Sequence, residues 1–146
     1  MIGHSEGTTI IPGSDDGYLT IVGSTPKHPI LMSDYKDHPR QVINLGNGLK
    51  STAAGRYQVL ERFYDAYKVQ LNLPDFSPAS QDKIAIQLLY ECRAIKLILD
   101  GKFIDAVRAC RSRWASLPGS PYGQHTNPIE DLVEVYIDHG GSIVGV

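Results

Sequence analysis

Only two cysteines, Cys92 and Cys110, occur in 146 residues, too few for the disulfide framework that holds small secreted domains together. Two reduced, buried thiols are expected instead. No apolar run approaches the ~20 residues that a bilayer crossing needs. The start, Met1-Ile2-Gly3-His4, has neither the basic nor the hydrophobic stretch of an export signal, so neither feature is expected. An excess of positive charge is also lacking. Fourteen Lys and Arg against sixteen Asp and Glu leave a net charge of -2, which argues against a nucleic-acid partner and against long-range steering toward an anionic polymer. There is no paired Cys-x-x-Cys set and no His-Glu-x-x-His helix, so no metal and no other cofactor are expected. Ser5 and Ser51 lack a neighbouring His/Asp arrangement that would make either a nucleophile, and read as hydrogen-bonding groups. Without a heptad seam or internal repeat, a monomer is expected.

The residues present fit one domain spanning 1–146. Apolar content of 42% and charged content of 21% are ordinary for a globular chain, and this length buries about two thirds of the unfolded surface. Tyr18-Leu19-Thr20-Ile21-Val22-Gly23 and Pro29-Ile30-Leu31-Met32, rich in β-branched and aromatic residues, predict a small hairpin. Between Asp37 and Lys50, Pro39, Asn44, Gly46, Asn47 and Gly48 read as connecting loop with a short helical turn. After Thr52 the period changes: Tyr57, Leu60, Tyr64, Tyr67 and Leu71 predict an amphipathic helix. Ser77-Pro78 opens a second, with Ile84, Leu88 and Cys92 on one side, and Asp100-Gly101 closes the helical stretch beyond it. A further helix from about Phe103 carries Val107, Cys110 and Trp114, which makes Trp114 a core residue. The last helix reads as capped by Asn127, with Pro128 at its first position, Glu130 completing a capping box and Gly140-Gly141 ending it. Ile129, Leu132, Val133 and Tyr136 would dock it inward. Strands first and helices after predict an α+β fold, with a β lobe at about 17–50 and a helical lobe at about 52–146.

Ser5-Glu6-Gly7-Thr8 sets one carboxyl group at a turn beside glycine. It is followed in order by Asp34-Tyr35-Lys36-Asp37-His38-Pro39-Arg40, Ser51-Thr52-Ala53-Ala54-Gly55-Arg56-Tyr57-Gln58, Trp114-Ala115-Ser116-Leu117-Pro118-Gly119 and Tyr122-Gly123-Gln124. In that order, from about Ser5 to Gln124, these segments resemble the lambda phage endolysin family. The resemblance implies a lysozyme-like fold, mainly helical, with a small β lobe and a cleft. It implies an enzyme that cuts the MurNAc-GlcNAc β-1,4 bond of bacterial peptidoglycan by lytic transglycosylation, leaving a 1,6-anhydro-MurNAc end and lysing the host cell. It further implies synthesis in the host cytoplasm, holin-mediated release to the wall in the periplasm, and no stable membrane association. Glu6 matches the family's catalytic glutamate. Gly55-Arg56-Tyr57-Gln58 resembles its substrate-binding element, and Tyr122-Gly123-Gln124 a movable lip over the glycan. Two departures stand out. In the family a full amphipathic helix precedes the glutamate, whereas five residues precede Glu6, so helical turns are expected to be missing; and His4 stands where the family can place a large aromatic.

A carboxylic acid protonates a glycosidic oxygen well when partial burial raises its pKa. Ordinary glycosidases add a second carboxylate, for which Asp15, Asp16, Asp34 and Asp37 are the candidates; the competing readings are a polar turn for the first two, and loop capping or a link to Arg40 for the others. A transglycosylase manages with one. The candidate substrate contacts are Ser51, Tyr57, Gln58, Tyr122, Gln124, Tyr35 and His38. Tyr57 also suits the apolar stripe of its helix, Gln58 an exposed position, and His38 a structural loop. Hydrolytic lysozyme is the nearest alternative, and an inactive peptidoglycan-binding module the rival from another class.

Overall fold

A computed structural model of the chain describes residues 1–145. Its hairpin forms around Asn47-Gly48, inside the stretch read from sequence as connecting loop. Strand β1 (Ile43–Gly46) pairs antiparallel with β2 (Leu49–Ser51), Ile43 opposite Ser51 and Asn44 opposite Lys50, with an irregularity before Gly46. Asn47 and Gly48 both have positive φ, 51° and 74°, which the tight two-residue turn of a right-twisted hairpin requires. Between the expected strands at 18–23 and 29–32 there are only isolated bridges. Thr20 faces Leu31, while Ile21 faces Ala54, and the Ser24 hydroxyl donates to the carbonyls of Ile21 and Ile30 and accepts from the Ile30 N–H. A side chain thus takes backbone groups that a longer ladder would have used.

Six helices accompany this sheet among the described residues: α1 (Ile2–Ser5), α2 (Glu61–Gln70), α3 (Pro78–Glu91), α4 (Ala94–Leu99), α5 (Phe103–Cys110) and α6 (Ile129–Asp138). Tyr57 lies before α2 rather than on it. Ala54 and Val59 bridge across the intervening turn, and Gln58 has φ of 52°, outside the right-handed helical region. Tyr64 and Tyr67 do form the buried stripe of α2. At α3 the Ser77 hydroxyl accepts the N–H of Ser80 with Pro78 at the first position, the expected cap. Trp114 falls beyond the end of α5, yet it is buried. Asn127 does not cap α6: its amide donates to Ser5 and Ser116, and Pro128 occupies the capping position without a side-chain hydrogen bond. The far end of α6 is as expected, the N–H groups of Gly140 and Gly141 bonding back to the carbonyls of Ile137 and Tyr136.

The chain divides into two compact units, with one boundary at Ala85 and Ile86, within α3. The first comprises Met1–Ser5 and Ile86–Val146. Its core is built from Ala94, Phe103, Val107, Cys110, Trp114, Leu117 and Leu132, with Ile129, Val133 and Tyr136 packed against it. Phe103 and Tyr136 stack with ring centres 4.3 Å apart. Both cysteines are free thiols here, and burial, with Cys92 as neighbour, pushes the Cys110 thiol up to about 12. The second unit, Glu6–Ala85, packs Ile21, Met32, Val59, Tyr64, Phe76 and Ile84 inward. Its centre is aromatic: the rings of His38, Tyr64 and Phe76 lie 4.9 to 5.7 Å apart.

Candidate active site

Glu6 follows the short α1 and is half-buried at a turn with Gly7. The residues around it are fixed by side-chain hydrogen bonds, not by a long helix. Before it, Ser5 is 6% exposed; its hydroxyl meets that of Ser116 at 2.8 Å, and its carbonyl accepts from the Asn127 amide at 2.9 Å. After it, Thr8 is 2% exposed and its hydroxyl donates to the carbonyl of Arg56 at 2.8 Å. The Thr8 carbonyl also accepts hydroxyls from Ser14 and Thr20. Within the second unit, the segment that carries Glu6 is therefore tied to the Gly55–Gln58 turn.

That turn is held in place by Gln81, which is fully buried on α3. The side-chain carbonyl of Gln81 accepts the Arg56 N–H at 2.9 Å, and its amide donates to the carbonyls of Tyr18 and Phe76. Gly55, at φ of 80°, passes so close that an added Cβ would lie 2.3 Å from the Gln81 oxygen, so only glycine fits. Gln58 folds back on its own turn, its Nε2 donating to Gly55 and Thr20. This leaves the carbonyl end of its amide as an acceptor.

Next to Gln81, the half-buried Asp82 accepts the hydroxyls of Tyr57 at 2.7 Å and Tyr18 at 2.8 Å. The two rings meet edge to face, with the Arg56 guanidinium over Tyr18. Burial, then the hydrogen bond to Asp82, raises the pKa of both phenols, so both remain donors through the physiological range. Sequence reading named Tyr57 as a candidate and did not name Gln81 or Asp82. Gln81 had a signal: it sits three residues before Ile84, a polar side chain on the apolar stripe of α3. Asp82 had none, since its partners lie 25 and 64 residues away.

The remaining candidates are dispersed. Ser51 ends β2, with its hydroxyl accepting the Ala53 N–H. The Tyr35 hydroxyl donates to Asp15 at 2.5 Å, and burial followed by this bond raises its pKa. His38 is corrected from substrate contact to structural residue. It is 2% exposed, Nε2 pairs with the Val59 carbonyl and Nδ1 accepts the Arg40 N–H, so neither ring nitrogen is left for a sugar. Tyr122 and Gln124 are exposed in the first unit, where the Tyr122 hydroxyl donates to the Ser112 carbonyl.

The four candidate second carboxylates are all engaged. Asp15 accepts from Tyr35, Asp16 pairs with Arg56 at 2.6 Å, Asp34 accepts the Lys36 N–H, and Asp37 pairs with Arg40 at 2.7 Å. The Arg40 hydrogen bond holds the Asp37 carboxyl below its usual range. Asp15 and Asp16 have positive φ, as a polar turn requires. Among the described residues, no group of His, Cys, Asp and Glu is placed to hold a metal ion.

A family model described as Endolysin matches residues 1–143. The endolysin of Escherichia phage lambda is 43% identical over 145 residues, 98% of this chain and 89% of that protein. The endolysin of Escherichia phage P2 is 45% identical over 148 aligned positions, covering 97% and 89%. Among solved structures, bacteriophage lambda lysozyme complexed with a chitohexasaccharide superimposes with a TM-score of 0.91 at 42% identity, over 97% of this chain and 90% of that one. A second structure of lysozyme from bacteriophage lambda gives 0.86 at the same identity and coverage. The α+β architecture is thus lysozyme-like, and the chain belongs to the endolysin family.

Proposed function

We propose that this chain cleaves the glycan strands of bacterial peptidoglycan at the MurNAc-GlcNAc β-1,4 bond by lytic transglycosylation, with Glu6 as the single catalytic carboxyl group. The observation that carries this reading is the Thr8 to Arg56 hydrogen bond, which fixes the Glu6 segment against the turn bearing Tyr57 and Gln58. Glu6 itself is half-buried at a turn beside Gly7. In the first step the Glu6 carboxyl gives its proton to the glycosidic oxygen as the bond to the muramic C1 breaks. In the second, the muramic 6-hydroxyl attacks C1 and returns its proton to Glu6. An anhydro ring closes, no water is consumed and the enzyme is regenerated. Because the attacking hydroxyl is already part of the substrate, proximity replaces a second carboxylate. The engagement of Asp15, Asp16, Asp34 and Asp37 elsewhere supports this one-carboxyl route.

The Gln58 carbonyl would accept from a sugar N–H or hydroxyl, since its amide nitrogen is already donating to Gly55 and Thr20. Tyr57 supplies a ring face while its hydroxyl stays on Asp82. Tyr122 and Gln124, exposed in the first unit, serve as further glycan contacts on a loop edge. No helix of the described residues is long and apolar enough to cross a membrane. The chain would be made in the host cytoplasm and reach the periplasmic wall through a holin lesion. Mass spectrometry of digested peptidoglycan tests the reaction type: 1,6-anhydro-MurNAc ends are expected. Reducing MurNAc ends would replace this reading with hydrolysis, and intact strands with retained wall binding would replace it with a binding module.

A further inference from the structure

We propose that a recess in the second unit holds the anionic peptide stem of the peptidoglycan substrate through Lys50 and Arg62. This rests on the glycan-cleaving reading above and extends it from the sugar backbone to its peptide branch. The recess has a volume of about 500 Å³ and is walled by the end of β2 and the first turn of α2. Those are the stretches entering and leaving the Gly55–Gln58 turn. The Glu61 N–H donates to the Thr52 hydroxyl at 3.1 Å, joining the two walls.

Four charged residues line the recess: Lys50, Glu61, Arg62 and Asp65. The two acids are already engaged, both reaching Arg40, at 3.2 and 2.6 Å. The two cations form no ion pair among the described residues. The Arg62 guanidinium lies over the Phe63 ring at 4.9 Å, which orients it without neutralising it. The recess therefore offers two uncommitted positive groups beside an apolar surface from Val42 and Leu60. A glycan stripped of its peptides keeps one carboxylate per muramic sugar, on the lactyl group, but has no alkyl side chains to meet the apolar surface and no carboxylates reaching beyond the sugar. The stem peptide attached to the muramic lactyl group carries free carboxylates and small alkyl side chains, which match the cations and the apolar surface respectively.

The test compares wild type with a Lys50→Gln/Arg62→Gln double variant on two substrates: native peptidoglycan strands, and the same strands stripped of their peptides by an amidase. Both side chains are exposed, so the variant should melt with the wild type. On native strands, KM should rise roughly 3- to 10-fold with kcat little changed, and the rise should shrink with added salt. On stripped strands the two proteins should agree within about twofold. An equal loss on both substrates, or none on either, overturns the proposal. Should wild type cleave neither substrate, the glycan-cleaving reading fails by itself. Titration of the free stem tetrapeptide followed by NMR then decides the recess alone, amide shifts centred on residues 50 and 62 upholding it and their absence overturning it.

Discussion

Burial of the His38 ring disfavours its charged form and lowers its pKa below the ordinary 6.5; the nearby Arg40 guanidinium acts in the same direction. Asp37, Glu61 and the Val59 carbonyl pull the other way without prevailing. In the interval between the two values the unfolded chain binds more protons than the folded one, so stability rises with pH there. The contribution of His38 is complete above about pH 6.5 and is lost as the pH falls toward the folded value. Thermal midpoints should therefore decline between pH 7.5 and 5.5. A His38→Gln protein should show a flatter profile over that window and a lower midpoint at pH 7.5. Identical pH profiles for the two proteins would contradict the assignment. The depressed carboxyls of Asp37 and Asp65 add their own loss at lower pH, below 3.8. At this scale sequence legibility was uneven. Glu6 and Tyr57 stood in segments with a recognisable order. The roles of Gln81 and Asp82 exist only once α3 is docked, and the fate of His38 depended on whether Tyr64 and Phe76 closed over it.

Helices were readable because their boundary chemistry is local. Ser77-Pro78 and Gly140-Gly141 mark helix ends through atoms a few residues apart. The hairpin was not, because β1 and β2 are exposed at all but Ile43 and Ser51. A sheet without a buried face leaves no alternation to detect; its one sequence signal was the Asn47-Gly48 pair. The Gly55–Gln58 turn was hidden for a different reason. Tyr57 and Leu60 happen to continue the helical period of Tyr64 and Tyr67, and tertiary bonds from Gln81 and Thr8 override it. This turn is also where substitution should be most costly. Gly55→Ala forces an L-residue to φ of 80° and brings a methyl against Gln81 and Phe76. We expect a loss of about 2–4 kcal/mol in denaturant unfolding, with wall-lysing activity falling alongside it. A loss below about 1 kcal/mol would mean that the turn and α3 shift apart easily.

At the scale of the molecule, each unit has its own core, one built on Trp114, Leu117 and Leu132, the other on Tyr64, Phe76 and Ile84. The chain passes from one to the other between Ser5 and Glu6 and again between Ala85 and Ile86. Apolar periodicity exposed Phe103, Val107, Cys110, Trp114 and Leu132 in one core and Tyr64, Tyr67 and Ile84 in the other, but it could not reveal a division inside α3, since a continuous helix carries no composition change there. Glu6 is the first residue of its unit, preceded by a serine bonded to Ser116 and Asn127 and followed two residues later by a threonine bonded to Arg56. The most direct measurement is the rate at which Glu6→Gln clears purified peptidoglycan sacculi, beside its thermal midpoint. A midpoint within a degree or two of wild type and a rate reduced at least about a thousandfold are predicted, from the loss of both acid and base catalysis. A folded Glu6→Gln protein that clears sacculi at the wild-type rate would contradict the assignment of the chemistry to this carboxyl group.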